Sequence, residues 1–277
     1  MARGPFGLTD SDVVRARSAL FDVYGGYLRG RGGAAAIAAL VRLLEPLDFG
    51  APAIRTAVSR MVRQGWLTPV RLPEGPGYAL TPRAERRLDE AGARIYRTGP
   101  SSWDGRWHVV VVGELPGRGD RERLASSLRL LGYGPLGAST WVAPRPSAEL
   151  AEVLADVPAR VFHGAHDGPD AELAAQAWDL DELGADYTTF VADWAPLMAA
   201  VDGSDPAEAF ASSQRLLHAW RKFLFRDPGL PVELLPDGWP GTAAAAFFDE
   251  HTARLAPAVT RFLDACLSGG GKQRSTA

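Results

Sequence analysis

The sequence predicts an α+β multidomain protein, and three observations predict it. Helix-period segments dominate the beginning and end of the 277-residue chain, while the middle alternates β-branched runs with helices. A Gly/Pro/Ser-rich break, "RTGPSSWDG" (97–105), and a softer one, "HGAHDGPD" (163–170), divide the chain into three. Charge is also uneven. Residues 1–100 hold 15 arginines and 9 acidic residues, a balance of +6, against −9 for the remainder. The expected segments are 1–99, 100–170 and 171–277.

Composition narrows the class. Hydrophobic content of 46% with 23% charge fits an ordinary globular protein. No run approaches the roughly eighteen apolar residues of a membrane span. "MARGPFGLTD" lacks the apolar core of a secretory signal. The single cysteine, Cys266, excludes an intrachain disulfide and a thiolate-rich zinc site. Together these features predict a cytoplasmic protein with no membrane partner.

In the first segment, "RSALFDVYGGYL" (17–28) and "AAAIAALVRLLEPL" (34–47) read as helices separated by "RGRGG". A third helix starts at Pro52, a favourable first helical residue. Ile54, Ala57, Val58, Met61 and Val62 recur at helical spacing and define its buried face. Arg55, Thr56, Ser59, Arg60 and Arg63 fall opposite, and Gly65 stops the helix. "WLTPV" and "GYALT" read as strands joined by the turn-rich "RLPEGP", and "PRAERRLDEAGARIY" returns to helix. Helix, helix, short turn, helix and hairpin is the order of a winged helix-turn-helix, which lays its third helix in the DNA major groove.

The residue types suit that task. Arg can bridge O6 and N7 of guanine, while Thr and Ser reach phosphates or base edges. A merely solvated face predicts acidic partners at i±4, and residues 51–66 contain no Asp or Glu. The expected DNA-binding set is Arg55, Thr56, Ser59, Arg60 and Arg63, with Arg71 from the wing and Arg29 and Arg31 beside the first helix.

In the second segment, "WHVVVVGEL" (107–115) reads as a central strand, followed by helix "DRERLASSLRLLGYG" and strand "GASTWVAP". Helix "SAELAEVLADV" and strand "ARVFHGA" complete a βαββαβ, ferredoxin-like pattern. The third segment is mostly helical, with one long helix expected over "ELAAQAWDLDELGADYTTFVADWAPLMAAV". "RDPGLPVELLPDGWPG" (226–241) interrupts the helices with four prolines and three glycines.

Chemical motifs are scarce. His163 and His166 with Asp167 match no metal-ligand spacing, and "GGYLRGRGG" lacks the Gly-Lys-Ser/Thr of a phosphate loop. No Gly-x-Ser-x-Gly or His-Glu-x-x-His occurs. The expectation is no catalytic residue, no metal, no cofactor and no enzyme. The stretch "RKFLFRDPGLPVELLPDGWPG" has two readings. In one it contacts an effector, through Arg221, Lys222 or Arg226 for an anionic group and Trp220 or Trp239 for a ring. In the other it is a proline-rigidified corner, pinned by Trp239 and closed by an Arg226–Asp227 or Arg221–Asp227 contact.

Particular stretches also resemble a known family. They are "IRTAVSRMVRQGWL", "YALTPRAERRL" and "ARIY" early, then "WHVVVV" and "LRLLGYGPLGASTWVAP", then "WDL", "WRKFLFRDPGLPVELLPDGWPG" and the helix around "FFDEH". From about residue 17 to about 265 the sequence resembles the PaaX-like transcriptional regulators, the phenylacetate-pathway repressor family. The resemblance implies a homodimeric repressor of phenylacetate catabolism that binds double-stranded operator DNA. It also implies release by a small effector, an aryl-CoA thioester such as phenylacetyl-CoA. Basic candidates for the CoA phosphates are Arg145, Arg215, Arg221, Lys222 and Arg226. The middle segment is similar to the Cas2 fold, in which an aspartate after the first strand can serve a metal-dependent nuclease. Glu114 occupies that position here, so a nuclease is one alternative, and a regulator without a ligand is another.

Overall fold

Apolar residues three and four apart build the N-terminal elements. Helix α1 (Asp10–Val23) buries Ala16, Leu20 and Val23, α2 (Ile37–Leu44) buries Leu40, Leu43 and Leu44, and α3 (Ala51–Arg63) buries Ile54, Ala57, Val58 and Met61. Each fully buried Leu or Ile contributes about 1.5–3 kcal/mol relative to exposure. These helices belong to a computed structural model that describes residues 10–95 and 103–268. The chain forms two units, one of residues 1–97, 194–219 and 248–277, the other of 98–193 and 220–247.

In the first unit, α1 runs into a π-helical turn, Tyr24–Leu28. Gly25 and Gly26 lower the cost of departing from α geometry there. Gly25 also admits α4 (Pro82–Ile95), since a Cβ on it would stand 3.1 Å from Leu88. Tyr24 is buried and donates to the Tyr78 carbonyl at 2.9 Å. Burial pushes its phenol far above the ordinary value, so it remains a donor.

Ala34–Ala36, expected as the start of a helix, form a strand instead. This β1 pairs with β3 (Gly75–Leu80), Ala34 opposite Ala79 and Ala36 opposite Gly77. The unpaired edge of the hairpin overrides the helix propensity of three alanines, and α2 begins only after Ala36, which is extended at φ −66° and ψ 145°. Strand β2 (Leu67–Leu72) pairs with β3 until Leu72 meets Gly75. The expected "RLPEGP" connection is therefore mostly strand, and the turn is Pro73–Glu74 alone. Gly77 is required by crowding, because a Cβ there would lie 2.6 Å from Leu72 and 2.7 Å from the Ala35 carbonyl.

In the second unit, β4 (Trp107–Val112), β5 (Gly134–Pro135), β6 (Thr140–Ala143) and β7 (Ala159–Gly164) form one antiparallel sheet ordered β5-β6-β4-β7. With α5 (Arg118–Leu130) and the short α6 (Leu150–Val153), this is the strand order of a βαββαβ, ferredoxin-like sheet. Strand alternation sends Val110 and Val112 toward Leu124 and Leu128 of α5, while Trp107 and Val109 face the opposite layer. There they meet Leu173, Ala174 and Ala177 of α7 (Asp170–Ala177) and Leu230 and Leu234.

The remaining chain is helical, in α8 (Leu180–Ala199), α9 (Pro206–Trp220) and α10 (Pro240–Leu267). The single helix expected from 172 onward is broken at Trp178, which is extended at φ −136° and ψ 142°. Asp179 then receives the Glu182 backbone N–H at 2.9 Å and caps α8. The proline-rich corner is aromatic inside. Tyr187 stacks on Phe223 at 4.1 Å and meets Trp239 edge-on at 6.0 Å. Arg226 closes it through Glu182, at 2.9 Å, and Asp186, while Asp227 accepts from the Tyr187 hydroxyl and from Gly229 N. The expected Arg226–Asp227 contact is thus replaced by partners on α8.

Candidate nucleic-acid interface

Helix α3 is set at both ends by the backbone. It starts after extended Gly50 with Pro52 in its first turn, and it has no acidic residue there. It ends with Gly65 at φ +72°, Gly65 N bonding Val62 O at 3.0 Å and Trp66 N bonding Met61 O at 2.9 Å. This is the Schellman arrangement, which favours glycine at that position. The Trp66 ring then packs edge-on against Phe21 of α1, 4.9 Å between centroids.

The burial of Ile54, Ala57, Val58 and Met61 fixes which side faces out. Arg55, Ser59 and Arg63 are exposed, and Thr56, Arg60 and Val62 are half-buried. The Thr56 hydroxyl donates within the helix to Pro52 O at 2.9 Å. Arg55 and Arg63 form no ion pair among the described residues, and Arg71 projects exposed from the hairpin opposite Pro76.

Arg29 and Arg31, expected to join this set, are turned to partners inside the unit. Arg29 donates to the Leu88 carbonyl and to Asp89, both at 2.8 Å. Its guanidinium lies 2.9 Å from where a Cβ on Gly92 would be, so Gly92 provides its seat. Arg31 pairs with Asp264 of α10. Two other arginines flank the end of α3 instead. Arg17 reaches the Gln64 side chain at 3.3 Å, and Arg83 lies 5.8 Å from the Trp66 ring. Thr81 joins the same junction, donating to Gly65 O at 2.7 Å and capping α4 through Ala84 N at 3.2 Å. No periodicity announces contacts such as 17–64 or 66–83, because each joins separate elements.

The residues expected at an effector site are dispersed in role. Trp220 is buried among Tyr187, Phe190 and Phe223, with centroids 5.4–5.7 Å away. Arg226 is neutralised by Glu182 and Asp186. Lys222 is exposed, and Arg145 and Arg221 are half-buried. Arg215 points to Pro46 O at 3.4 Å and Asp48 at 3.8 Å. A cavity of about 380 Å³ in the second unit is lined by Arg118, Arg121 and Arg129 rather than by any of these.

Glu114 is exposed beyond β4. His163 lies 3.8 Å from Asp104 and His166 4.0 Å from Asp170, whose carboxylate accepts the Trp107 indole N–H at 2.6 Å. His108 bonds the Tyr133 hydroxyl at 2.6 Å. Burial and the neighbouring His163 hold His108 below the ordinary imidazole value, and burial pushes Tyr133 up to about 12. Among the described residues, no three His, Cys, Asp or Glu side chains converge to hold a metal ion. No helix of the described residues is long and apolar enough to cross a membrane.

Known proteins share this organisation. Residues 15–84 match the family model described as PaaX-like protein, 100–173 the PaaX protein central Cas2-like domain, and 178–265 the PaaX-like protein C-terminal domain. The chain is 32% identical over 270 residues to the transcriptional repressor PaaX of Escherichia coli K12, covering 90% of this chain and 83% of that one. An uncharacterized protein from Mycobacterium tuberculosis is similar in structure, with a TM-score of 0.63 at 27% identity, covering 91% of this chain and 98% of that one. Matched in all three parts of its length, the chain belongs to the PaaX-like family.

Proposed function

We propose that the protein is a sequence-specific transcriptional repressor that binds double-stranded operator DNA as a homodimer and is released by a small effector. The segment 1–99 acts as a winged helix-turn-helix, with α3 as recognition helix and the β2–β3 hairpin as wing. The segments 100–170 and 171–277 supply the Cas2-like scaffold and the regulatory and dimerising helices. The observation that carries this reading is the polar face of α3, acid-free and bearing exposed Arg55, Ser59 and Arg63. The relationship to a named transcriptional repressor supports it.

Arg55, Ser59, Arg60 and Arg63 face the groove, and Arg71, Arg17 and Arg83 reach flanking phosphates. In a dimer, two such helices meet half-sites about one helical turn, roughly 34 Å, apart. An aryl-CoA thioester such as phenylacetyl-CoA favours a conformation in which they no longer match. A tenfold loss of operator affinity needs about 1.4 kcal/mol of coupling between the two sites. Such a repressor works in the cytoplasm and needs no cofactor.

Fluorescence anisotropy on DNA from upstream of the protein's own gene, at fixed salt, tests this. Specific binding abolished by phenylacetyl-CoA is the expected result. Specific binding indifferent to every thioester discards the effector, and equal affinity for unrelated DNA discards the recognition helix.

A further inference from the structure

The first unit contains a cavity of about 270 Å³. Its floor is apolar, made by Leu217, Phe248 and Leu263, all buried. Its polar lining residues are Tyr27, Arg31, Ser213, Thr252 and Thr260. Tyr27 and Ser213 share a hydrogen bond at 3.0 Å, and Arg31 lines the same cavity. Arg31 is the sole charged residue of the lining, and Asp264 engages it through Nη1, which leaves further guanidinium donors for a ligand oxygen. Ala256 and Thr260 form the exposed rim.

We infer that this cavity is the acyl subsite of the effector, taking an aryl or short alkyl body whose carbonyl or carboxylate oxygen meets Arg31 and the Tyr27–Ser213 hydroxyls. This deepens the effector reading above and rests on it. The apolar floor recovers hydrophobic free energy from the body, and an acceptor oxygen matches the donors of Arg31 and the Tyr27 and Ser213 hydroxyls. A cationic ligand finds only Arg31 as a charged group and is disfavoured.

The wall of the cavity also explains how occupancy reaches DNA. Gly26 and Tyr27 belong to the π turn Tyr24–Leu28. Three residues before Tyr27, Tyr24 grips the hairpin through the Tyr78 carbonyl. The same turn continues α1, which packs directly on α3. A ligand oxygen that takes the place of Ser213 on Tyr27 therefore shifts a turn that holds both the wing and the recognition helix. π-helical turns are rare and frequent at functional sites, and this is the element whose arrangement the ligand would bias.

The test uses the full-length protein, with phenylacetate and phenylacetyl-CoA as separate probes. Ala256→Trp closes the rim without touching the core, and Tyr27→Phe keeps the ring but removes the hydroxyl. Ala256→Trp is expected to bind operator like the wild type while needing at least tenfold more phenylacetyl-CoA for release. Tyr27→Phe is expected to lose part of the response while retaining its melting temperature within a few degrees. Release of Ala256→Trp at the wild-type concentration overturns the assignment.

Direct binding, read as a thermal shift without DNA, separates this proposal from the repressor mechanism. A wild-type shift that Ala256→Trp removes, with no release from DNA, keeps the subsite and discards the release mechanism. A shift with neither probe overturns the subsite. A shift with free phenylacetate identifies the acid as sufficient, and a shift with the thioester alone shows that the ligand extends beyond the cavity.

Discussion

Helices α3 and α5 are built alike on the inside and differently on the outside. Each is 13 residues long and buries a stripe, Ile54, Ala57, Val58 and Met61 in one, Leu124 and Leu128 in the other. Each carries at least three arginines. On α5 they have acidic neighbours, Arg118 bonding Glu122 at 2.7 Å and Arg123 pairing with Asp120, and Arg129 lies 5.4 Å from the Trp141 ring. Helix α3 itself contains no acid, and its exposed Arg55 and Arg63 form no ion pair among the described residues. Arginines answered within their own helix are a solvated face, worth a few tenths of a kcal/mol per pair. Exposed arginines such as Arg55 and Arg63, with no acid in their own helix, hold a local positive potential that a polyanion can use.

The largest test of this contrast attacks the shared inner face. Ile54→Ala and Leu128→Ala should each lower unfolding free energy by about 2–5 kcal/mol, measured by urea titration. Only the first should also disturb operator binding once the folded fraction is allowed for. Comparable DNA defects in both would erase the distinction between the helices.

The outer faces come next. Arg55→Ala or Arg63→Ala should weaken operator binding by about 1–3 kcal/mol where the side chain reads a base. Arg118→Ala should leave affinity unchanged at the same salt. An equal loss on unrelated DNA would reassign the α3 arginine to phosphate, and wild-type affinity in both α3 variants would remove α3 from the interface.

Thr81→Ala sharpens the comparison at the end of α3, where the hydroxyl serves Gly65 and the first turn of α4. It should cost about 1 kcal/mol of stability, near the usual value for a lost cap. Thr81→Ser should recover most of it.

The smallest effect concerns the second unit alone. His108 titrates below its unfolded value, so the unfolded chain takes up the proton first. Stability held at neutral pH is lost as pH falls through about 6.5, the ordinary imidazole value, toward the lower folded one. Melting temperature should fall on acidification, and His108→Gln should flatten that fall. An unchanged slope would assign the acid sensitivity to other groups.

Much of this was legible from local pattern. The period of Ile54, Ala57, Val58 and Met61 sets α3, and the alternation in "WHVVVV" sets the two faces of β4. What was hidden depends on partners distant in sequence. Three alanines at 34–36 become a strand because β3 offers an edge. Arg29 and Arg31 look free until Asp89 and Asp264 arrive from 60 and 233 residues away. The break at Trp178 was readable, since Asp179 with Glu182 three residues on has the form of a helix cap. Val62, placed on the buried stripe, lies at its margin and is only half covered.

The first unit is assembled from three stretches of chain, the last beginning at residue 248. Arg31 and Arg42 of the earliest stretch wait for Asp264 and the Cys266 carbonyl. On the ribosome, where a chain emerges from its N-terminus at about 5–20 residues per second, α3 is made roughly ten seconds or more before those partners exist. The sheet of the second unit, drawn from 107–164, has all its strands much earlier. Helix α3, the proposed recognition helix, is therefore among the first parts synthesised and among the last to be fully supported, so a prematurely terminated chain would carry the basic helix without its final braces.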